Sequence, residues 1–289
     1  MATVDIEAGP IHYENAGPPD GRPAVFVHGY AMGSSLWRGL TQRLGASGLR
    51  CIAPTWPLGA HPAAMHRDAD LTMEGIAAIV AAVLAALDLE DVVLIGNDTG
   101  GAIAQLVAVR HPGRLGALVL TSCDAFEHFP PPILKPLILA AARPLSFRAA
   151  LQPLRTRLGR RLAYGALAHR EIDELAREWT RPALSDSRVA DDLRRFTASL
   201  HRRTTLDAAA RLPDFGKPAL VAWSADDAFF PIGDAHRLGA ALGDARVEII
   251  EAARTFSMLD QPDALAALIA DFAGPGTSSA RDLDAQTTV

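Results

Sequence analysis

The 289-residue sequence predicts an α/β fold, a mostly parallel central sheet flanked by helices, with a helical cap inserted late in the chain. Three observations predict it. Short, continuous apolar runs rich in β-branched residues recur along the chain, and continuous rather than alternating runs suit parallel strands buried on both faces. Helical patterns separate these runs, and regular alternation of strand and helix implies a parallel sheet with right-handed crossovers. Residues 124–212 then break the alternation: no convincing strand occurs there, only helical segments.

In chain order the strand runs are "AVFVHG" (24–29), "LRCIAP" (49–54), "VVLIGN" (92–97), "LGALVLTS" (115–122), "PALVAWS" (218–224) and "RVEII" (246–250). Helical patterns cover Leu71 to Leu87, Gly101 to His111, Ile232 to Leu242 and Pro262 to Phe272, the last with proline favourably placed in its first turn. The strandless stretch is punctuated by "FPPP" and by Pro136, Pro144, Pro153 and Pro182. Residues 1–123 and 213–273 are therefore expected to form the core and 124–212 the cap. The small, polar end from Gly274 to Val289 is expected to be disordered.

Composition bounds the function. Apolar residues make up 49% and charged residues 21%, an ordinary soluble balance. A net charge of −5 gives no reason to expect nucleic acid as a partner. The start, "MATVDIEAGP", lacks the basic and apolar regions of a signal peptide, and no apolar run reaches the length of a membrane span, so no membrane partner is expected. Cys51 and Cys123 are too few for a disulfide framework or a zinc site, which makes a reducing cytoplasm the expected compartment. No metal-ligand spacing and no glycine-rich nucleotide motif occurs, so neither metal nor cofactor is expected. The expected partner is a small-molecule substrate; the oligomeric state stays open. The cap carries 16 Lys+Arg against 10 Asp+Glu. That excess reads either as a positive rim drawing in a polar or anionic ligand or, as charge runs usually do, as a solvated helical face.

The chemistry centres on "GNDTGG", Gly96 to Gly101, between a strand and a helix. This is the G-x-nucleophile-x-G arrangement with aspartate in the middle: a sharp turn thrusts one side chain to the carboxyl edge of the sheet, and small residues two before and two after relieve backbone crowding. The helix N-terminus favours an ionised Asp98. The alternative is an ordinary turn aspartate.

On these residues and four further stretches the sequence resembles the α/β-hydrolase superfamily, in the branch of epoxide hydrolases and haloalkane dehalogenases, over about residues 10–272. "VFVHGY" (25–30) is similar to the strand and His-Gly turn that supply one oxyanion amide, here from Tyr30, with the second from Thr99. "SSLWRGL" (34–40) resembles the helix after that turn, and "RHPGRLGALVL" (110–120) the passage from the nucleophile helix into the next strand. "AWSADDAFFP" (222–231) resembles the loop holding the catalytic acid, which the resemblance places at Asp227; a helix cap is the other reading of that residue. His28 is expected to be structural in the oxyanion turn or to border the substrate. Trp56, in "TWPLGAH", either lines the pocket or packs beneath it. Tyr164 is the one tyrosine of the cap, where relatives use tyrosines to protonate an opening epoxide, and it too could simply be packed.

An aspartate nucleophile points away from acyl substrates, because attack on an acyl carbon gives an anhydride. It suits displacement at a saturated carbon, giving an alkyl ester that water then cleaves at the carboxylate carbon while the oxyanion amides hold the charge. The resemblance therefore implies a hydrolase of small electrophiles, epoxide hydrolase-like, with a haloalkane dehalogenase-like hydrolase as one alternative and a non-hydrolytic enzyme or ligand-binding protein as another. The halide reading loses ground because Thr99 and Tyr30 stand where dehalogenases carry halide-binding donors such as tryptophan. The family's usual histidine is missing: in "EAARTFSMLDQP" Thr255 takes its place. A threonine hydroxyl cannot act as a general base near neutral pH, and such a base is worth about 10²–10⁴-fold. Replacements open to the sequence are His128, His169 or His201, a second carboxylate at Asp124, or a reaction that needs no hydrolysis.

Overall fold

In the computed structural model, which describes residues 1–243 and 245–274, eight strands form one sheet in the order β1-β2-β4-β3-β5-β6-β7-β8. The strands are β1 (Ala2–Ile6), β2 (Gly9–Ala16), β3 (Pro23–Val27), β4 (Arg50–Pro54), β5 (Val92–Asp98), β6 (Leu115–Cys123), β7 (Ala219–Ser224) and β8 (Ala245–Ile250). The six from β3 onward pair in parallel, as continuous apolar runs require. Every residue of β7 is buried, and so is all of β5 except Asp98 at its end.

The N-terminal hairpin has no counterpart among the predicted strands. β1 pairs antiparallel with β2, and β2 antiparallel with β4, at the sheet edge. Its sequences, "ATVDI" and "GPIHYENA", mix exposed polar residues with Gly, Pro and Asn, which weakens any local strand signal. Pairing with β4 supplies what local propensity does not.

Helices cover both faces. On one side lie α2 (Met73–Ala86), α3 (Thr99–Arg110) and α10 (Ile232–Ala241); on the other, α1 (Arg38–Ala46) and α12 (Pro262–Ala273), which is preceded by the short α11 (Ser257–Asp260). Thr72 starts α2 by accepting a hydrogen bond from the Gly75 amide at 3.0 Å, which satisfies one of the free donors of the first turn. All but the last residue of α3 are buried, so a helix without a polar face sits where sheet and neighbouring helices enclose it.

Between β6 and β7 the described chain is helical: α4 (Lys135–Ala140), α5 (Pro144–Leu151), α6 (Arg157–Tyr164), α7 (Asp173–Ser185), α8 (Ser187–Ala198) and α9 (Arg202–Arg211). Proline at the start of α4 and α5 explains why those prolines punctuate rather than prevent helix. A small apolar cluster of its own, with Phe147, Leu151, Val189 and Leu193, binds α5 to α8 and reaches Ala31 in the turn after β3. The polar stretch expected to be disordered lies, beyond Gly274, outside the described residues.

Candidate active site

β5 delivers Asp98 to the carboxyl edge of the sheet, and α3 begins at the next residue. Asp98 has φ 55° and ψ −135°, backbone angles that cost an L-residue about 1–3 kcal/mol and persist only where its surroundings enforce them. They do. A Cβ on Gly100 would lie 2.1 Å from the Val27 carbonyl, and one on Gly29 would lie 2.0 Å from Asp98 Oδ1. Only backbone without a side chain can approach so closely. The approach lets two amides converge on one carboxyl oxygen: Asp98 Oδ1 accepts from Tyr30 N at 3.1 Å and from Thr99 N at 2.7 Å.

The turn after β3 is braced from beneath. His28 is fully buried; its Nδ1 lies 3.0 Å from Gly29 O and its Nε2 accepts from the Trp56 amide at 2.9 Å. Burial lowers its pKa to about 4, so the ring stays neutral and keeps the tautomer that both bonds need. Trp56 is equally buried, its indole donating to Phe26 O at 2.9 Å. Of the two readings open for His28 and Trp56, these contacts favour the structural one: every polar atom of both side chains is satisfied by backbone, and neither residue is among those lining the cavity over Asp98. Tyr164 does line it, but its hydroxyl donates to Ala31 O at 2.8 Å. The Tyr30 hydroxyl lies 2.7 Å from Thr197 Oγ1 on α8.

Three carboxyl groups gather at this edge. Asp124, just beyond β6, is 2% exposed; its Oδ2 accepts from Thr99 Oγ1 at 2.8 Å, its amide donates to Asp98 O at 3.2 Å, and its Oδ1 is buried without a hydrogen-bond partner. Burial, and then the Asp98 charge, push its pKa well above the usual aspartate value. Asp98 is also raised by burial, but the amides of Thr99 and Tyr30 act against the shift. Asp227 follows β7 and accepts at Oδ1 from the amides of Phe229 (2.8 Å) and Phe230 (2.9 Å). The same oxygen accepts from Thr255 Oγ1 at 3.1 Å. Burial raises the Asp227 pKa and those amides oppose it.

Thr255 is fully buried, so the loop after β8 brings a hydroxyl to the acid. Asn97, which the sequence reading passed over, fastens that loop: its Nδ2 donates to Thr255 O at 2.9 Å and to Ser122 O at 3.1 Å. The signal for it was its place inside the elbow motif, beside Asp98. None of the three histidines proposed as a base borders Asp98. His128 meets Asp234 at 2.6 Å, His169 meets Asp226 at 2.9 Å, and His201 accepts from the Arg203 amide at the start of α9.

Above the carboxyl groups lies a cavity of about 390 Å³. Its floor holds Asp98, Thr99 and Asp124; its walls are mostly Leu, Pro and Ala from the 131–167 region, with Phe229 and Phe230 opposite. No Lys, Arg, His or Trp is among the lining residues, so the excess charge of the helical segment does not face inward. This apolar lining was not legible in the sequence, because which cap residues turn inward depends on how the short helices pack.

A family model described as the alpha/beta hydrolase fold matches residues 23–262. The chain belongs to this family. Among curated proteins, a 2-hydroxy-6-oxo-6-phenylhexa-2,4-dienoate hydrolase of Comamonas testosteroni is 25% identical over 279 residues, 94% of each chain. A non-heme chloroperoxidase of Streptomyces lividans is 30% identical over 273 residues, covering 84% of this chain and 88% of that one. Among solved structures, the haloalkane dehalogenase DbeA of Bradyrhizobium elkani superposes with a TM-score of 0.75 at 17% identity, over 94% of this chain and 95% of that one. At that identity the likeness is one of fold.

Proposed function

We propose that this α/β-hydrolase opens small, neutral, apolar epoxides through an ester on Asp98, with Asp124 as both proton donor and base. What carries the reading is one arrangement. A carboxyl oxygen of Asp98 is held by two backbone amides at the floor of an apolar cavity, and a second, buried carboxyl accepts from the hydroxyl of Thr99, the residue whose amide is one of those two donors.

Two carboxyl groups this close do not both ionise, and their environments decide which keeps the proton. Asp98 has two amide donors and the N-terminal end of α3, which favour the anion. Asp124 has one hydroxyl donor and one orphaned oxygen in a buried position, which favours the acid. The proton belongs on Asp124 Oδ1.

The reaction follows. Asp98 Oδ2 attacks an epoxide carbon, the C–O bond breaks, and the Asp124 proton passes to the leaving oxygen, giving a hydroxyalkyl ester and an Asp124 carboxylate. That carboxylate takes a proton from water as the water attacks the Asp98 carboxyl carbon, while Tyr30 N and Thr99 N stabilise the charge on Oδ1. Collapse of the tetrahedral intermediate releases the diol and restores an ionised Asp98 beside a protonated Asp124. Acid and then base are thus one residue, and Thr255 has no proton to move; with Asp227 and Asn97 it secures the loop.

An oxygen leaving group suits this floor better than a halide, because a carboxylic acid can protonate it and the lining has no indole N–H to hold an anion. The dienoate substrate in the Comamonas protein's name is an anion, which an ionised Asp98 and a lining without any cation would disfavour here. The test is intact-protein mass spectrometry with a panel of apolar epoxides, alongside diol assays. The wild type is expected to form diol through an adduct equal to one substrate mass, and Asp98→Asn to form neither. Diol formation by Asp98→Asn at the wild-type rate, or an adduct that persists on it, would sink the proposal.

A further inference from the structure

The cavity opens through a surface of unusual composition. From Phe129 to Arg170 the chain has eight Lys and Arg residues and neither Asp nor Glu, in a protein whose net charge is −5. Six of those cations, Lys135, Arg143, Arg148, Arg155, Arg161 and Arg170, are exposed and form no ion pair among the described residues. The same segment holds Ile133, Leu139, Leu145, Leu158 and Leu162, which are between 55% and 78% exposed and make up most of the exposed large apolar side chains among the described residues. Leu158 and Leu162 stand four residues apart on α6, hence on one face. Ile133 and Leu162 are at once exposed and part of the cavity lining.

We propose that this face docks on an anionic lipid bilayer and that the cavity takes its apolar substrate from the membrane surface. Leucines flanked by unpaired cations are what an interfacial helix needs. The apolar side chains enter the boundary of headgroups and acyl chains, and the cations meet anionic headgroups. The exposed leucines are left without a partner by the fold, and the unneutralised charge names the partner. A second copy of the same face is disfavoured, because self-pairing would set cations against cations. No helix in the described chain is long and apolar enough to cross a membrane, so the contact is peripheral. The mouth of the cavity lies within the docked face, which gives a substrate dissolved in lipid a direct route to Asp98.

The experiment is flotation of the full chain with vesicles of phosphatidylcholine alone or mixed with phosphatidylglycerol, at low and high salt. Two variants accompany it: Arg143→Gln/Arg148→Gln/Arg161→Gln, and Leu145→Ser/Leu158→Ser. These five residues are exposed, make no side-chain hydrogen bond among the described residues and do not line the cavity, so circular dichroism is expected to show an unchanged fold. Binding is expected for the anionic vesicles only, weakened by salt, and reduced on the order of 100-fold by the triple Arg variant. The Leu variant is expected to lose at least tenfold. No binding to anionic vesicles overturns the proposal, as does binding indifferent to both variants. A wild-type dimer that the Leu variant converts to monomer would assign the face to a second copy instead, and equal retention of single-stranded DNA by wild type and Leu variant would reduce it to a polyanion site. None of these readouts depends on the chemistry of Asp98.

Discussion

Replacing Asp124 by Asn separates the two steps assigned to it. The asparagine oxygen can keep the 2.8 Å bond from Thr99 Oγ1, and its NH2 takes the place of an oxygen that already lacks a partner. One buried unsatisfied group is exchanged for another, so at a pH below 3.8, where Asp124 is protonated in the folded and the unfolded chain alike, stability is expected to change by no more than about 1 kcal/mol. The chemistry changes much more. The amide can still donate a hydrogen bond to an opening epoxide, but it cannot give up a proton or accept one from water. General acid or base assistance is worth about 10²–10⁴-fold per step. Ring opening is therefore expected to slow toward the lower end of that range and ester cleavage toward the upper end, so the hydroxyalkyl ester accumulates. Rapid mixing followed by intact-mass measurement should show nearly one equivalent of adduct on Asp124→Asn, and only a transient trace on the wild type. Turnover within tenfold of wild type, with no standing ester, would refute the assignment of Asp124 as the base.

The remaining predictions concern the frame around that pair. Thr255→Val should lower stability by about 1–3 kcal/mol in denaturant unfolding, by removing the hydroxyl bond to Asp227. Its activity should stay within tenfold of wild type; a loss near 10³-fold would make the hydroxyl chemical. Gly29→Ala places a methyl group where Asp98 Oδ1 lies, so kcat should fall about 10²–10³-fold as the carboxyl leaves its two amides, and a variant with normal kcat would refute that geometry. The His28 pKa is lowered from 6.5 to about 4, so its stabilisation is complete above 6.5 and is lost as pH falls toward 4, in total about 3 kcal/mol. Thermal unfolding of wild type should weaken across that window, and His28→Gln should show a flatter profile. Asp124 shifts the opposite way: its raised pKa means the fold loses stability as pH rises above 3.8, so the stability of Asp124→Asn relative to wild type should grow with pH.

The parallel strands and the elbow were legible in the sequence because their signals are local. A strand buried on both faces must be a continuous apolar run, and a strand-to-helix turn this tight must have glycine beside Asp98. The motif order also placed Tyr30 and Thr99 at the two amides that meet Asp98 Oδ1. The N-terminal hairpin was not legible, because "GPIHYENA" becomes a strand only through its pairing with β4. The sequence by itself determined the fold class, an aspartate at the strand-to-helix turn and a threonine at residue 255. Only the tertiary structure decided what surrounds these residues: it buried Asp124 against Thr99, turned Thr255 toward Asp227, bound the three candidate histidines elsewhere and lined the cavity with apolar side chains. The physical reason is that protonation and partnership depend on burial and on contacts between residues far apart in the chain, and no local pattern of residues encodes either.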